Sequence, residues 1–114
     1  MNISGKKLRV GDGGRVRFLC PGCDEFHSIT VGEGAAPRWG FNGNGDAPTF
    51  TPSILVTGVQ FLTEEQEARV AAGETIEPDP LRCHSFVTDG KIRFLADCTH
   101  ALAGQTVDLP DYPA

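Results

Sequence analysis

The sequence predicts a mainly β fold, a small antiparallel β domain with a zinc-ribbon-like knuckle and one short helix. The chain has 114 residues, of which 14 are Gly and 8 are Pro. They fall between short runs of alternating apolar and polar side chains, which is typical of a domain built from short strands. A Cys-x-x-Cys motif lies between two such runs, and one segment has helix-start signals. This length supports one core, so we expect a single zinc-binding β domain over residues 1–114.

Strands are predicted in the first half of the chain wherever apolar residues alternate, at 7–10, 15–20, 26–31 and 53–57. A Gly-rich turn joins the first two strands, and 53–57 is expected to be buried. The stretch 32–52 is predicted to be a long loop or a set of short irregular strands. Its aromatic and amide side chains form either a satellite core or a ligand or partner platform. These side chains are Trp39, Phe41, Asn42 and Phe50.

One segment predicts a helix. Thr63 and Gln66 have the spacing of a capping box, and Gly73 ends a helix that continues to Ala72. Between residues 64 and 79, six acidic side chains accompany a single base. We expect a solvated excursion between strands, with an acidic partner-binding face as the alternative.

A hairpin is predicted in the second half, where residues 81–87 and 92–98 flank Asp89-Gly90. An Asp-Gly tip suits a type I′ turn. The resulting register predicts four cross-strand pairs, Val87–Ile92, Ser85–Phe94, Cys83–Ala96 and Leu81–Cys98. Cys83 and Cys98 would then share one face of the sheet, and His84 and Asp97 the opposite face.

The cysteines predict a Zn²⁺ site, because the Cys-x-x-Cys knuckle supplies two ligands from one turn and the hairpin brings two more thiols together. The expected ligands are Cys20, Cys23, Cys83 and Cys98, with His84 and His100 as alternates. One other interpretation is a redox pair, which would need a βαβ context that the sequence lacks. Another is that Cys83 and Cys98 are small buried side chains. A site with four protein ligands would be structural.

Catalytic residues are not indicated by a motif, since the sequence contains no P-loop, Rossmann pattern, H-E-x-x-H or G-x-S-x-G. The candidates are His84, Asp97 and His100, which could form an acid–base or metal cluster in which Asp97 orients an imidazole.

The charge distribution limits the partners. The net charge is −5, yet the first 20 residues hold five basic side chains and one acidic one. The acidic balance argues against a general nucleic-acid binder, although Arg9, Arg15 and Arg17 leave that alternative open. No apolar run is long enough to span a bilayer or to form a secretory signal, so we expect a cytoplasmic protein with reduced thiols.

Four segments of the chain resemble a family of small uncharacterised bacteriophage and prophage proteins. They are Cys20 to Cys23, Trp39 to Ser53, Cys83 to Ile92, and Asp97 to Val107, and the resemblance covers most of residues 16–110. In that family Ser sometimes replaces the residue that matches Cys98, whereas the position of His100 keeps His. The resemblance therefore favours His84 and His100 as ligand candidates.

Together these features predict a non-enzymatic, phage-encoded accessory protein with a structural zinc. It would act in the infected or lysogenic bacterial cell by contact with a host or phage protein, with counter-defence as a special case. The alternatives are a small metal-dependent hydrolase that uses His84, Asp97 and His100, and a zinc-ribbon-like nucleic-acid binder.

Overall fold

The mainly β fold is confirmed by a computed structural model, which describes residues 5–35 and 37–113. It contains two antiparallel sheets and one short helix. Residues 1–4, 36 and 114, which the single-domain prediction also includes, lie outside the described residues.

The first sheet has the order β1-β2-β3, with strands Leu8–Val10, Arg15–Cys20 and Glu25–Thr30. A 3-10 turn at Asp12–Gly14 joins β1 to β2, where the Gly-rich turn is predicted. The Cys-x-x-Cys knuckle joins β2 to β3, so its first cysteine is the last residue of a strand.

The second sheet has the order β4-β5-β6-β7-β8. Its strands are Gly40–Phe41, Phe50–Val59, Pro80–Thr88, Lys91–Phe94 and Thr106–Asp108. The prediction of a fully buried strand at 53–57 is wrong, because β5 is longer and only its inward side chains are covered. Ile54 is 2% exposed, whereas Leu55 is 54% exposed.

The hairpin between β6 and β7 is confirmed up to Phe94, with Val87 opposite Ile92 and Ser85 opposite Phe94. Asp89 and Gly90 both have positive φ, 50° and 79°, as the predicted turn requires. The two pairs predicted beyond Phe94 are wrong. β7 ends there, and the chain turns away after the amide of Leu95 donates to the carbonyl of His84 at 2.9 Å.

The predicted helix is α1, Glu64–Ala71, and its capping box is confirmed. The Thr63 hydroxyl accepts from the Gln66 amide at 3.2 Å, and the Gln66 side chain accepts from the Thr63 amide at 2.9 Å. No side chain of α1 is buried. In the part of the chain that the structure describes, no helix is long and apolar enough to cross a membrane.

Both sheets contribute to one core. Phe18 of β2 stacks on Phe50 of β5 with ring centroids 6.1 Å apart, and Phe50 also packs against Phe41. The largest fully buried apolar side chains are Phe18, Phe50, Phe94, Leu8, Ile54, Ile92 and Leu109. The sheets are therefore joined through their inward faces, and the outward face of the second sheet is left open to solvent.

Candidate active site and candidate metal centre

A hydroxyl, an imidazole and a carboxylate lie in line on the outward face of the second sheet. Ser53 Oγ lies 3.1 Å from His84 Nε2, and His84 Nδ1 lies 3.3 Å from Asp97 Oδ2. Ser53 belongs to β5, His84 to the neighbouring β6, and Asp97 to the turn after β7. Three separate elements thus bring these groups together.

The two ring nitrogens of His84 have different partners. Nδ1 faces a carboxylate, which can only accept a hydrogen bond, so the neutral tautomer that suits this contact has its proton on Nδ1 and a lone pair on Nε2 toward the Ser53 hydroxyl. This is the order of contacts in a Ser-His-Asp triad. The His84 side chain is 26% exposed and Asp97 39% exposed, so a substrate can reach the site.

Ser53 reaches this position through an irregularity in β5. The register between β5 and β6 shifts between Phe50 and Ile54, and Ser53 lies within the shifted segment. Bulges of this kind often redirect a side chain beside an active site. The indole Nε1 of Trp39 donates to the Ser53 carbonyl at 3.2 Å and holds the segment in place.

The backbone of His84 is held by Cys98. The Cys98 sulfur accepts from the His84 amide at 3.2 Å, and the thiol donates to the His84 carbonyl at 3.2 Å. The buried thiol thus satisfies the His84 amide, and it shares the His84 carbonyl with the Leu95 amide, where the regular ladder with β7 has ended. Cys98 positions His84.

Asp97 is held by neighbours on β6 as well. Arg82 Nη1 lies 3.6 Å from Asp97 Oδ2, the same oxygen that faces His84. Thr99 fixes the turn, since its amide donates to the Arg82 carbonyl and its hydroxyl accepts from the Arg82 amide, both at 2.9 Å. Arg82 and the turn that Thr99 fixes to β6 therefore hold the carboxylate against the imidazole.

A second cluster lies on the other side of β6. One ligand atom from each of Cys20, Cys23, Cys83 and His100 lies within 4.8 Å of every other. Cys20 Sγ and Cys83 Sγ are 3.8 Å apart, and Cys83 Sγ is 3.6 Å from His100 Nε2. With Zn–S distances of about 2.3 Å, tetrahedral ligands lie about 3.8 Å apart, so the residues present fit the ion.

The thiols of this cluster do not ionise equally. Hydrogen bonding to Cys83 lowers the pKa of Cys20 to about 4, against the effect of burial and with help from His27. Burial and the charge on Cys20 raise the pKa of Cys23 to about 11. The hydrogen bond to Cys20, with burial, also raises the pKa of Cys83. The environment thus favours the thiolate at Cys20 and the thiol at Cys23 and Cys83, and a divalent cation would displace the remaining thiol protons.

The His100 ring is packed from three sides. The Phe94 ring meets it edge-on with centroids 4.4 Å apart, and the Leu102 amide donates to Nδ1 at 3.2 Å. Gly22 in the knuckle lies so close that a Cβ there would overlap the ring. These contacts direct Nε2 toward the sulfur atoms.

The residues that the sequence suggests as metal ligands or catalytic groups lie in two separate places. Cys20, Cys23 and Cys83 come together with His100, whereas Cys98 lies at the backbone of His84. His84 and Asp97 come together with Ser53.

The residues of the predicted platform are placed differently. Phe50 is buried in the core, Trp39 supports Ser53, and the side-chain Nδ2 of Asn42 donates to the Ala47 carbonyl within its own turn. Sequence reasoning missed Ser53, because no catalytic motif surrounds this serine and only the fold places it beside His84.

A comparison with known families gives one finding. The family model described as "Bacterial ubiquitination-like system serine protease (BubE)" matches residues 3–95. The match includes Ser53 and His84 and ends two residues before Asp97. No curated protein and no solved structure gives a significant match.

This finding corrects the predicted function. A non-enzymatic, phage-encoded accessory protein is wrong, since the matching family is one of serine proteases in a bacterial system. It does not support the phage and prophage origin, and it replaces both the metal-dependent hydrolase and the nucleic-acid binder. The physical reason lies in the site, where His84 and Asp97 are aligned on a serine hydroxyl and His100 is turned toward the cysteines.

Proposed function

Because this chain belongs to the family of bacterial ubiquitination-like system serine proteases, we propose that it is a peptidase of such a system. Ser53 is the nucleophile, His84 the general base and Asp97 the group that orients the base. The main support is the contact between Ser53 Oγ and His84 Nε2, at 3.1 Å, in a histidine whose other nitrogen faces a carboxylate.

The reaction follows from these contacts. Ser53 Oγ bonds to the carbonyl carbon of the scissile bond while its proton moves to His84 Nε2. His84 then gives that proton to the leaving nitrogen as the carbon–nitrogen bond breaks. A water oxygen then bonds to the acyl carbon while its proton moves to His84 Nε2, and the bond from that carbon to Ser53 Oγ breaks as the proton passes to Oγ. Asp97 accepts from Nδ1 throughout and stabilises the imidazolium that forms.

We also propose that Cys20, Cys23, Cys83 and His100 hold a zinc ion. Four protein ligands would close its coordination, and the ion would supply a crosslink with no part in the bond-breaking steps. Cys20 and Cys23 belong to the first sheet and its knuckle, Cys83 to the second sheet, and His100 to the turn that holds Asp97. The crosslink would therefore support the geometry of the triad.

The partners in this proposal are proteins of the ubiquitination-like pathway. A cytoplasmic location suits the four free cysteines, because thiols stay reduced there and available to a metal.

Co-expression of this chain with a complete bacterial ubiquitination-like system tests the proposal. We expect the wild-type chain to change the sizes of the modifier protein or its conjugates, and Ser53→Ala to leave them unchanged. Ser28→Ala, an exposed serine on β3 of the other sheet, serves as the control and should behave as wild type. Equal cleavage by wild type and Ser53→Ala would contradict the proposal.

A further inference from the structure

A protease must hold the substrate chain beside its nucleophile, and the edge of β5 next to Ser53 has room for a strand. β4 pairs only with Phe50 and Thr51. From Ile54 to Val59, β5 has β6 on one side and, among the described residues, no strand on the other. We propose that extended polypeptide substrates bind as an added strand on this edge, with the scissile carbonyl at Ser53. The inference rests on the proposed function.

The hairpin determines which backbone groups of β5 face the open edge. Thr88 and Lys91 close the two-residue turn, and the Leu95 amide donates to the His84 carbonyl. In an antiparallel ladder the backbone N–H and C=O groups of successive residues point alternately to the two neighbouring strands. The even-numbered residues of β6 therefore direct these groups toward β7, and the odd-numbered residues direct them toward β5. Ser85, Cys83 and Leu81 lie opposite Ile54, Val56 and Gly58. The backbone N–H and C=O groups of Leu55, Thr57 and Val59 consequently point to the open edge of β5, away from β6.

Two contacts at the ends of the strand agree with this alternation. The Ser53 carbonyl faces outward, because it accepts from the Trp39 indole, which comes from the β4 side. The Gln60 amide faces the other way and donates to the Asp79 carbonyl beside β6. The outward groups of Leu55, Thr57 and Val59 thus continue the line that begins at the nucleophile.

The direction of the added strand follows from the geometry of pairing. Antiparallel pairs are slightly more stable than parallel ones, and every strand pair in both sheets is antiparallel. A substrate antiparallel to β5 runs from Val59 toward Ser53. Its residues on the acyl side of the scissile bond therefore lie along Ile54–Val59.

This part of β5 is unusually exposed for an edge. Leu55 is 54% and Val59 64% exposed, and Phe61, two residues after the end of β5, is 87% exposed. Proteins commonly protect a long apolar edge with charges, a bulge or a covering loop, because an open edge pairs with other chains. The side chains of Leu55, Thr57 and Val59 are uncharged, which suits strand addition at this edge.

A cavity beneath the edge indicates the chemistry of the substrate. Its volume is about 330 Å³, and its lining combines the apolar side chains of Val56, Phe61 and Leu81 with Glu25 and the polar residues Cys23 and Gln60. A substrate side chain that points inward would enter this cavity. The apolar part of the lining suits an aliphatic side chain, and the Glu25 carboxylate favours a basic side chain over an acidic one.

The test compares two probes of Ser53 in the same protein. A small alkyl fluorophosphonate needs only the triad, since Ser53 Oγ bonds to phosphorus and fluoride leaves. The second probe is an acetyl-capped tetrapeptidyl diphenyl phosphonate with Leu, Lys or Glu at each position in turn. It reacts with Ser53 in the same way, with phenol as the leaving group, but its peptide must also bind the edge of β5. At the position whose side chain enters the cavity, we expect the probe with Leu or Lys to label Ser53 faster than the probe with Glu. Glu25→Gln should reduce the difference in labelling rate between the Lys and Glu probes.

Thr57→Pro removes one outward N–H, and no bond to β6 is lost because the Thr57 amide faces the edge. We expect the peptidyl probe to react about tenfold more slowly with this variant, while the small probe reacts as with wild type. Thr57→Ala keeps the N–H and is the matched control. If Thr57→Pro fails to fold, N-methylation of each peptide nitrogen in turn provides the same test with the wild-type protein, and one position should show the loss.

The failures are distinguishable. If the small probe labels Ser53 but Thr57→Pro and every N-methylated probe react as their controls, the added-strand proposal is overturned and the proposed function stands. If neither probe labels Ser53, the proposed function fails and this inference with it.

Discussion

Two neighbouring residues of β6 serve the two proposed sites of this molecule. Cys83 points inward, is 1% exposed, and lies among the other cysteines. His84 points outward toward Ser53 and Asp97. Successive side chains of a strand point to opposite faces of the sheet. Two adjacent residues of β6 can therefore serve the proposed metal site on one face and the proposed catalytic site on the other.

Asp97→Asn tests the role of the carboxylate. The amide of Asn would not stabilise the imidazolium, and the equivalent change in a Ser-His-Asp template lowers turnover by about 10⁴. We expect labelling of Ser53 by a fluorophosphonate to slow by about 10²–10⁴ without loss of fold, because an exposed pair such as Arg82–Asp97 contributes only about 0–1 kcal/mol.

Asp108→Asn is the matched control for this change, since Asp108 is paired with Lys91 at 2.7 Å on the surface. Its labelling rate should equal that of wild type. A rate for Asp97→Asn within a factor of two of the control would show that Asp97 does not assist His84.

Cys98→Ser tests the ligand set. A serine hydroxyl can donate and accept at the His84 backbone as the thiol does, and Cys98 lies outside the four-residue cluster. We expect purified Cys98→Ser protein to contain as much zinc as wild type by elemental analysis, and Cys20→Ser to contain much less. If Cys98→Ser loses its zinc as Cys20→Ser does, the proposed ligands are wrong.

Single residues were predictable to different degrees. The knuckle cysteines were expected from their spacing and Cys83 from the predicted hairpin, and His84 and Asp97 were candidates because imidazole and carboxylate are the usual acid–base groups. Ser53 was not expected, since an exposed hydroxyl on a strand is common. Its role depends on the register shift in β5, which no local pattern in the sequence indicates.

Among the elements, the turn after β7 links both sites. Its residues contact three consecutive residues of β6, with Thr99 at Arg82, His100 at Cys83 and Cys98 at His84. Asp97 precedes this set and depends on it for its position. The proposed zinc would bind the same turn to the first sheet through Cys20 and Cys23.

Removal of the metal should therefore disturb the triad. Zinc at 1,000 times its dissociation constant would stabilise the fold by about 4 kcal/mol, so chelation should lower Tm by more than about 10 °C. Below that Tm, amide exchange should increase at Leu95 and Thr99, and fluorophosphonate labelling should fall. Chelated protein with unchanged Tm and unchanged exchange at these amides would contradict this account.

The hairpin of β6 and β7 follows the sequence pattern near its turn and departs from it further along. The Asp-Gly tip fixed the pairs near the turn, because its positive φ angles set the register. Alternation continues in the sequence to Cys98, yet β7 ends at Phe94. Contacts of Cys98 and His100 with β6 replace the ladder there, and such contacts depend on the fold.

At the scale of the whole molecule, two small sheets share one core, so we expect them to unfold together. Phe18→Ala removes the ring that stacks on Phe50 across the sheets and should lower the free energy of unfolding by about 3–5 kcal/mol. Far-ultraviolet circular dichroism and the fluorescence of Trp39 should report the same transition.

Phe61→Ala is the control, because this side chain is 87% exposed and outside the core. It should leave the free energy of unfolding unchanged. Two separate transitions in the wild-type protein would contradict the single core.

Composition and strand periodicity were sufficient to predict the fold class, and the capping-box pattern was sufficient to locate the helix. Both features depend on local sequence pattern. The function was not predictable in this way, because net charge and a family resemblance say little about a triad assembled from three elements. The acidic segment around α1, residues 64–79, has no buried side chain. The informative feature was the placement of His84 between Ser53 and Asp97.

The most direct test of the central claim is mass spectrometry of the protein after reaction with a fluorophosphonate. We predict one adduct, located on Ser53, which is absent from Ser53→Ala and unchanged in Ser28→Ala. An adduct on another residue, or none on folded protein that contains its metal, would contradict the assignment of Ser53 as the nucleophile.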